Sequence, residues 1–452
     1  MRTAFVLLAA GLALAGCATT PINVDCKPFR TEYTGAVPRS LTMEEIQSRA
    51  KPEGIVASND RELFQASLER TLGEAFVNDT KSGPVLLALS GGGQWGAFGA
   101  AYLAQLDAKS GTRLPQFTAI TGVSTGALQA LYIGAAQSPK ADRAALMEQL
   151  TVQYAPKSES EIVNRTSKYL APFKGSVAKL GPLRRRIEAA LCENKPANPE
   201  TVTHCPLIEQ LAQEGAPTVL LGFVETASGQ MQYVNVTAIA RDAVRPQEGR
   251  KPIGMKTAQQ CITGGALASV AMPFFYQQVQ VTSDPPPNQS GGPLTYYDGG
   301  VRQSMFLYET TQVLSQMATR KRAAAKLTSP VAPSIYLVRN GPSIALPAPD
   351  ANGRLDVLTT AERGYSLIVN QSEITAIEAI RLRDPKAEMR LITADGYDRE
   401  FGQTDKRPCK KHDTEAMFEP QFMKCLQAYG RYMATSAAAG TEGGWIILTK
   451  PR

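Results

Sequence analysis

The stretch Thr121-Gly122-Val123-Ser124-Thr125-Gly126-Ala127 carries a G-x-S-x-G pentapeptide where the strand-like run Phe117-Thr118-Ala119-Ile120 gives way to helix-forming Ala127-Leu128-Gln129-Ala130-Leu131. A serine on a sharp strand-to-helix turn presents its hydroxyl outward, and glycines two positions to either side let helix and strand approach without a Cβ between them. Ser124 is therefore the candidate nucleophile; the bland alternative is a tight turn with a capping serine. Acyl transfer at a serine also needs a group to take its proton and donors aimed at the developing oxyanion. Gly91-Gly92-Gly93-Gln94-Trp95-Gly96 follows a buried-strand pattern and precedes a helical one, so the backbone N–H groups of Gly91, Gly92 and Gly93 can turn toward one point. As a phosphate or dinucleotide cradle the same glycines lack both a following Lys-Ser/Thr pair and an acidic residue from a second strand.

Two bases fit. Histidine is scarce, only His204 and His412 being present, and the order Ser124, Asp298, His412 suits an α/β-hydrolase triad. Both histidines lie beside cysteines in polar segments. The second base is Asp298 itself, in Tyr296-Tyr297-Asp298-Gly299-Gly300, where a tight turn and partial burial would raise its basicity enough to deprotonate Ser124 directly. The residues alone leave both open.

Positioning these groups calls for particular elements. Val85–Leu89 is continuously apolar, as a strand buried on both faces would be, Ala97–Asp107 is helical in composition, and Phe117–Thr121 reads as the next strand. Two strand-turn-helix units in succession imply a doubly wound α/β sheet. Further on, Thr218–Glu225 and Met231–Thr237 form a hairpin about Ala227-Ser228-Gly229, Ser334–Val338 is a buried strand, and Ser366–Arg383 is an amphipathic helix with Ile374, Ile377 and Ile380 facing the core. Residues 139–217 form a helix-rich insertion and a candidate cap over the site. It contains the most basic stretch, Lys179–Arg186, readable as a solvated helix face or as a surface drawn to anionic headgroups. Asp350-Ala351-Asn352-Gly353 lacks calcium-loop spacing and reads as a turn.

At the N-terminus, Met1-Arg2, the apolar run Ala4 to Leu14 and then Leu14-Ala15-Gly16-Cys17 match a bacterial lipobox. The pattern predicts a signal peptide over 1–16, lipidation of Cys17, and a chain held at the cell envelope. Ala18, not Asp, follows the cysteine and favours the outer membrane, facing the periplasm. A tether and an opening helix around Glu62–Ala75 fill 17–82, the catalytic domain 83–390, and a C-terminal extension 391–452. Six further cysteines in an oxidising compartment imply disulfides. Separations of 13 and 16 residues favour Cys192–Cys205 and Cys409–Cys425, leaving Cys26 with Cys261. The absence of C-x-x-C spacing and the two histidines speak against a metal site, and neither the net charge of +7 nor the order of motifs suggests a nucleic-acid partner.

Taken together and in this order, Gly91–Gly96, Gly122–Gly126 and Asp298–Gly300, with Ala268-Ser269-Val270-Ala271-Met272-Pro273-Phe274-Phe275 ahead of the last, resemble the patatin-like phospholipase family. The resemblance covers roughly 83–341. It implies a three-layer α/β/α sandwich around a mostly parallel sheet and a Ser–Asp dyad without histidine, acting on acyl esters of glycerolipids with no cofactor. Membrane lipids would then be both anchoring surface and substrate. By position, Ser124 is the nucleophile, Asp298 the base and the amides of Gly91 to Gly93 the oxyanion hole. Two departures stand out: Trp95 occupies a position that is usually Arg or Lys, and Arg302-Gln303-Ser304-Met305 stands where Asn-x-Pro often follows the aspartate. A non-catalytic envelope lipoprotein on the same fold is the alternative, against which the intact serine, aspartate and glycines argue.

Overall fold

A computed structural model describes residues 20–36, 83–108, 114–166, 176–194, 202–246, 252–285, 291–305, 308–326, 332–344, 357–383, 386–401, 408–413, 416–435 and 444–448. Cys17 and its lipobox, the opening helix expected at Glu62–Ala75 and the turn expected at 350–353 lie outside them.

The strands, in chain order, are β1 (Ile22–Asp25), β2 (Thr34–Ala36), β3 (Val85–Leu89), β4 (Ala119–Val123), β5 (Asn164–Arg165), β6 (Ala178–Lys179), β7 (Glu193–Asn194), β8 (Val202–His204), β9 (Thr218–Glu225), β10 (Met231–Asn235), β11 (Val279–Ser283), β12 (Gly292–Asp298), β13 (Ser334–Val338), β14 (Glu388–Ile392) and β15 (Ile446–Leu448). Eleven of them form one sheet, while β5–β6 and β7–β8 are separate small hairpins. In its middle, β9, β4, β3, β13 and β14 pair in parallel, with Leu89 level with both Gly122 and Val338. Antiparallel pairs flank this run: β14 with β15 on one side, and β9 with β10 and β12 on the other. β1 closes that margin in parallel with β11. Residues on both sides of the boundaries expected at 82 and 390 thus contribute strands to a single sheet.

Alternation along the central strands separates two apolar layers. Leu87 and Leu89 enter the larger core, where they meet α1 (Gly96–Ala108), α2 (Thr125–Ala136), α3 (Arg143–Gln153), α4 (Gly181–Leu191), α5 (Pro206–Leu211), α6 (Val236–Val244) and α7 (Met255–Val270). Leu86 and Ala88 enter the smaller core on the opposite face, covered by α8 (Tyr308–Ala324) and α9 (Val357–Arg383). Helices on both faces of a mostly parallel sheet make the three-layer α/β/α sandwich. The last helix, α10 (Pro420–Thr435), packs on α1, with Phe98 and Tyr429 stacked at 5.8 Å. No helix among the described residues is long and apolar enough to cross a membrane.

Several boundaries differ from the sequence expectation. β4 runs two residues further, because Gly122 and Val123 continue its pairing with β9 up to Ser124. The second hairpin strand stops at Asn235, whose side chain accepts from the Ala238 amide and caps α6, so Val236 and Thr237 are helical. α9 begins at Val357, continuing through Gly364, a residue that lowers helix propensity by about 1 kcal/mol without breaking this helix. The described helices of the 139–217 insertion bury Leu150, Leu191 and Ile208 in the larger core. Among the described residues, three disulfides join Cys26 after β1 to Cys261 of α7, Cys192 at the end of α4 to Cys205 before α5, and Cys409 to Cys425 of α10.

Candidate active site

The pairing of β9 explains how residues 174 positions apart in the chain come together. One of its edges is taken by β10. The other is divided: Thr218–Gly222 pair in parallel with β4, and Phe223–Glu225 pair antiparallel with β12. β4 therefore ends at Val123, level with Gly222, and β12 arrives from the opposite direction to end at Asp298, level with Phe223. Two strands meet end to end along a third, and the residues leaving them are Ser124 and the Asp298-Gly299-Gly300 turn.

Ser124 adopts φ 54°, ψ −123°, a left-handed conformation that a non-glycine residue occupies only when its surroundings impose it. Those surroundings are visible. The Ser124 amide donates to Ser269 Oγ at 2.9 Å, and the same hydroxyl donates to Gly222 O at 2.7 Å, so the end of α7 holds the turn from beneath. A Cβ on Gly126 would overlap the carbonyls of Leu89 and Ser90, and one on Gly122 would overlap Gly126, so α2 can start this close to the sheet only with glycine at both positions. Ser124 is left half-buried at the N-terminus of α2, where the helix dipole favours a developing negative charge.

Asp298 is buried, 4% exposed. Its carboxylate accepts the Gly300 amide at 2.7 Å and lies within electrostatic reach of the Ser124 side chain. Burial pushes its pKa up to about 6, against the smaller lowering from the Ser124 side chain and the Gly300 amide. A triad would need a histidine between serine and carboxylate, whereas here it is the Ser124 side chain that acts on the carboxylate. Of the two histidines, His204 is exposed and faces Glu209 at 3.1 Å, and His412 lies in the short helical turn Cys409–His412 of the C-terminal region.

The glycine loop is only partly as expected. The Gly91 amide is already held by Ser304, by its Oγ at 3.2 Å and its carbonyl at 3.3 Å. That leaves the amides of Gly92 and Gly93, at φ 148° and 55°, which carry no hydrogen bond among the described residues. The loop is braced from below by Asn340, which donates from its backbone to Ser90 Oγ at 2.9 Å and from its side chain to Ser90 O at 2.8 Å. Gln129 extends this brace, donating to Gly96 O at 2.8 Å and to Asn340 Oδ1 at 3.1 Å.

Three site residues escaped the sequence reading. Ser269 lies in the recognised helix-to-proline segment but had no assigned task, and Ser304 belongs to the departure after the aspartate motif. The third is Tyr365 of α9. Its hydroxyl lies 2.7 Å from where a Cβ on Gly300 would stand, and Asp298 Oδ1 lies 3.0 Å from the same point, so glycine at 300 makes room for a phenol beside the carboxylate. Burial raises the Tyr365 pKa well above that of an ordinary phenol, with Asp298 and Glu373 adding to the effect, so it remains a neutral O–H. Only the aspartate motif hinted at this contact, through its second glycine. Trp95, the other departure, packs edge-on against Tyr397 at 4.7 Å and Phe422 at 5.1 Å and so docks the C-terminal region onto the glycine loop.

No curated protein matches the chain. A family model does, over residues 87–310, a span that contains both strands leading to Ser124 and Asp298. By that match and by the α/β/α sandwich that carries it, the chain belongs to the patatin-like phospholipase family, a family of lipid acyl hydrolases.

Proposed function

We propose that the protein is a membrane-tethered serine acyl hydrolase that cleaves acyl esters of phospholipids, lysophospholipids or simpler lipids through a Ser124–Asp298 dyad. The observation that carries this reading is the meeting of β4 and β12 end to end along β9, which brings Ser124 beside the buried carboxylate of Asp298, whose pKa burial raises to about 6 against a smaller lowering by the Ser124 side chain. A base of that strength is ionised at neutral pH yet more basic than a solvated aspartate.

In this reading Asp298 takes the proton as Ser124 Oγ attacks the acyl carbon. The oxyanion is met by the amides of Gly92 and Gly93 and by the N-terminus of α2. Asp298 then returns the proton to the departing alcohol, leaving an acyl-serine. Water repeats the cycle: Asp298 removes its proton, its oxygen attacks the acyl carbon, and the Ser124 oxygen leaves and recovers the proton. The lipobox supplies the location, an acyl anchor on Cys17 holding the enzyme at the envelope membrane.

The test compares wild type with Ser124→Ala on short-chain nitrophenyl esters and phospholipid vesicles, alongside fluorophosphonate labelling. Wild type should hydrolyse and label; activity retained in the variant would overturn the nucleophile. For the anchor, metabolic labelling with an alkyne fatty acid should mark wild type and spare Cys17→Ala.

A further inference from the structure

Three features unused by this chemistry lie together. The described chain enters the fold at Thr20, whose carbonyl accepts a 2.5 Å hydrogen bond from the Gln277 side chain, and Ile22 follows by donating to Gln278 O at 2.8 Å. β1 then runs along β11, and Cys26 is bonded to Cys261 of α7, so the point of entry is fixed. Cys17 stands three residues ahead of Thr20. That is at most ~11 Å of chain.

Next to Gln277 comes the second feature, Phe274, 68% exposed at φ 68°. A bulky aromatic in the left-handed region is an outlier, and such strain persists where surrounding structure imposes it. Here β6 and its lead-in impose it: Val177 N donates to Phe274 O at 3.3 Å and Ala178 N to Phe275 O at 2.8 Å. The ring is thereby turned outward.

The basic stretch Lys179–Arg186 is the third. Lys179 ends β6 and is exposed, the Arg184 guanidinium donates to Asn23 O of β1 at 2.9 Å, and Arg185 beside it is exposed. The cations therefore flank the same entry point as the aromatic.

We infer that this face, Phe274 with Lys179 and Arg185 around Thr20, is the surface on which the protein lies against an anionic bilayer. The inference rests on the anchoring and lipid-hydrolase readings above. The occupant is a bilayer because the chain leading to the acylated cysteine leaves from this face and because cations around an apolar ring match anionic headgroups over acyl chains. The face also borders the dyad. Asp298 N donates to Ala271 O at 3.0 Å, and Tyr276, two residues beyond Phe274, lies within electrostatic reach of Tyr365. Lipid drawn up at Phe274 arrives at the side of the site that Asp298 and Tyr365 form.

The decisive measurement is quenching by brominated lipids in vesicles of mixed zwitterionic and anionic phospholipid. The full chain is compared as Phe274→Trp and as Ile447→Trp, the latter on β15 at the opposite margin of the sheet. Quenching on the order of twofold stronger in Phe274→Trp is expected if that ring sits in the interface; equal quenching would overturn the inference. A second variant, Phe274→Gly, relieves the backbone strain, so it should melt higher than wild type while hydrolysing vesicles roughly tenfold more slowly and the soluble ester at the wild-type rate. Unchanged vesicle hydrolysis, or a parallel fall in both rates, would overturn it. So would protection of this face by a second copy, read as a dimer by sedimentation. If wild type hydrolyses neither ester, the catalytic reading fails, and the quenching result still decides the face.

Discussion

In the proposed dyad the carboxylate that deprotonates the serine must be a stronger base than one in water, and burial gives Asp298 that property at the expense of stability. Its folded pKa near about 6 exceeds the ordinary 3.8, so between these pH values the folded state holds a proton that the unfolded state has lost. Stability therefore falls as pH rises through that window, by about 3 kcal/mol in full, and is regained on acidification. Two results follow. The value of kcat/KM for a soluble ester should rise with the ionised fraction of Asp298 and be half-maximal near about 6. Asp298→Asn, which preserves the acceptor for Gly300, should be inactive yet more stable in urea at neutral and alkaline pH by up to about 3 kcal/mol, the gain disappearing below about pH 4. Tyr365 contributes to the same burial. Tyr365→Ala admits water beside the carboxylate, so the rise in its pH–rate profile should move to lower pH, while Tyr365→Phe should leave the midpoint in place. Ser124, Asp298 and their glycines were legible because each occupies a local pattern with a local cause. Ser269, Ser304 and Tyr365 were not, because their roles depend on which strand ends and helix faces meet, and nothing in a window of a few residues encodes that.

At the scale of elements, α9 brings Tyr365 beside Asp298. It is held to the end of β13 by an ion pair between Arg339 Nε and Glu373 Oε2 at 2.5 Å, with the two side chains 11% and 3% exposed, and Arg339 also reaches Asn370 Oδ1 at 2.7 Å. Arg339 adjoins Asn340, so the same strand end carries both the brace under the glycine loop and the fastening of the helix that brings Tyr365. Removing one member of a buried pair leaves the other charge uncompensated. Glu373→Ala should destabilise the protein by about 3 kcal/mol, and the displaced helix should lower activity on vesicle and soluble ester alike; urea unfolding and the two rates check this. The parallel centre of the sheet was readable from Val85–Leu89 and Ile335–Val338, whose apolar character admits little but a strand covered on both faces. The contest for one edge of β9 was not. It is a pairing between segments 71 to 99 residues apart, and periodicity records only which face of a strand is buried, not which neighbour it has.

For the whole molecule, the Cys26–Cys261 disulfide matters most, because it closes a loop with a sequence separation of 235 and joins the N-terminal segment to the helix that supports Ser124. Its length suggests on the order of 5 kcal/mol from restriction of the unfolded chain. Position adds a second role. β1 is a four-residue strand at the margin of the sheet, paired among the described residues only to β11, and β2 likewise pairs only to β10. Short marginal strands open first in native-state fluctuations. Without the disulfide, 20–36 should exchange its amides quickly while the central parallel strands stay protected. The consequence for function separates anchoring from chemistry, since the proposed dyad is built from β4, β9, β12 and α7, whereas the proposed anchor lies N-terminal to β1. Paired replacement Cys26→Ser and Cys261→Ser should lower the melting temperature and accelerate exchange in 20–36. It should also slow vesicle hydrolysis more than soluble-ester hydrolysis at a temperature where both proteins are folded. An equal loss on the two substrates would show instead that α7 needs the bond to hold Ser124, and would move the role of this disulfide from orienting the molecule to building its active site.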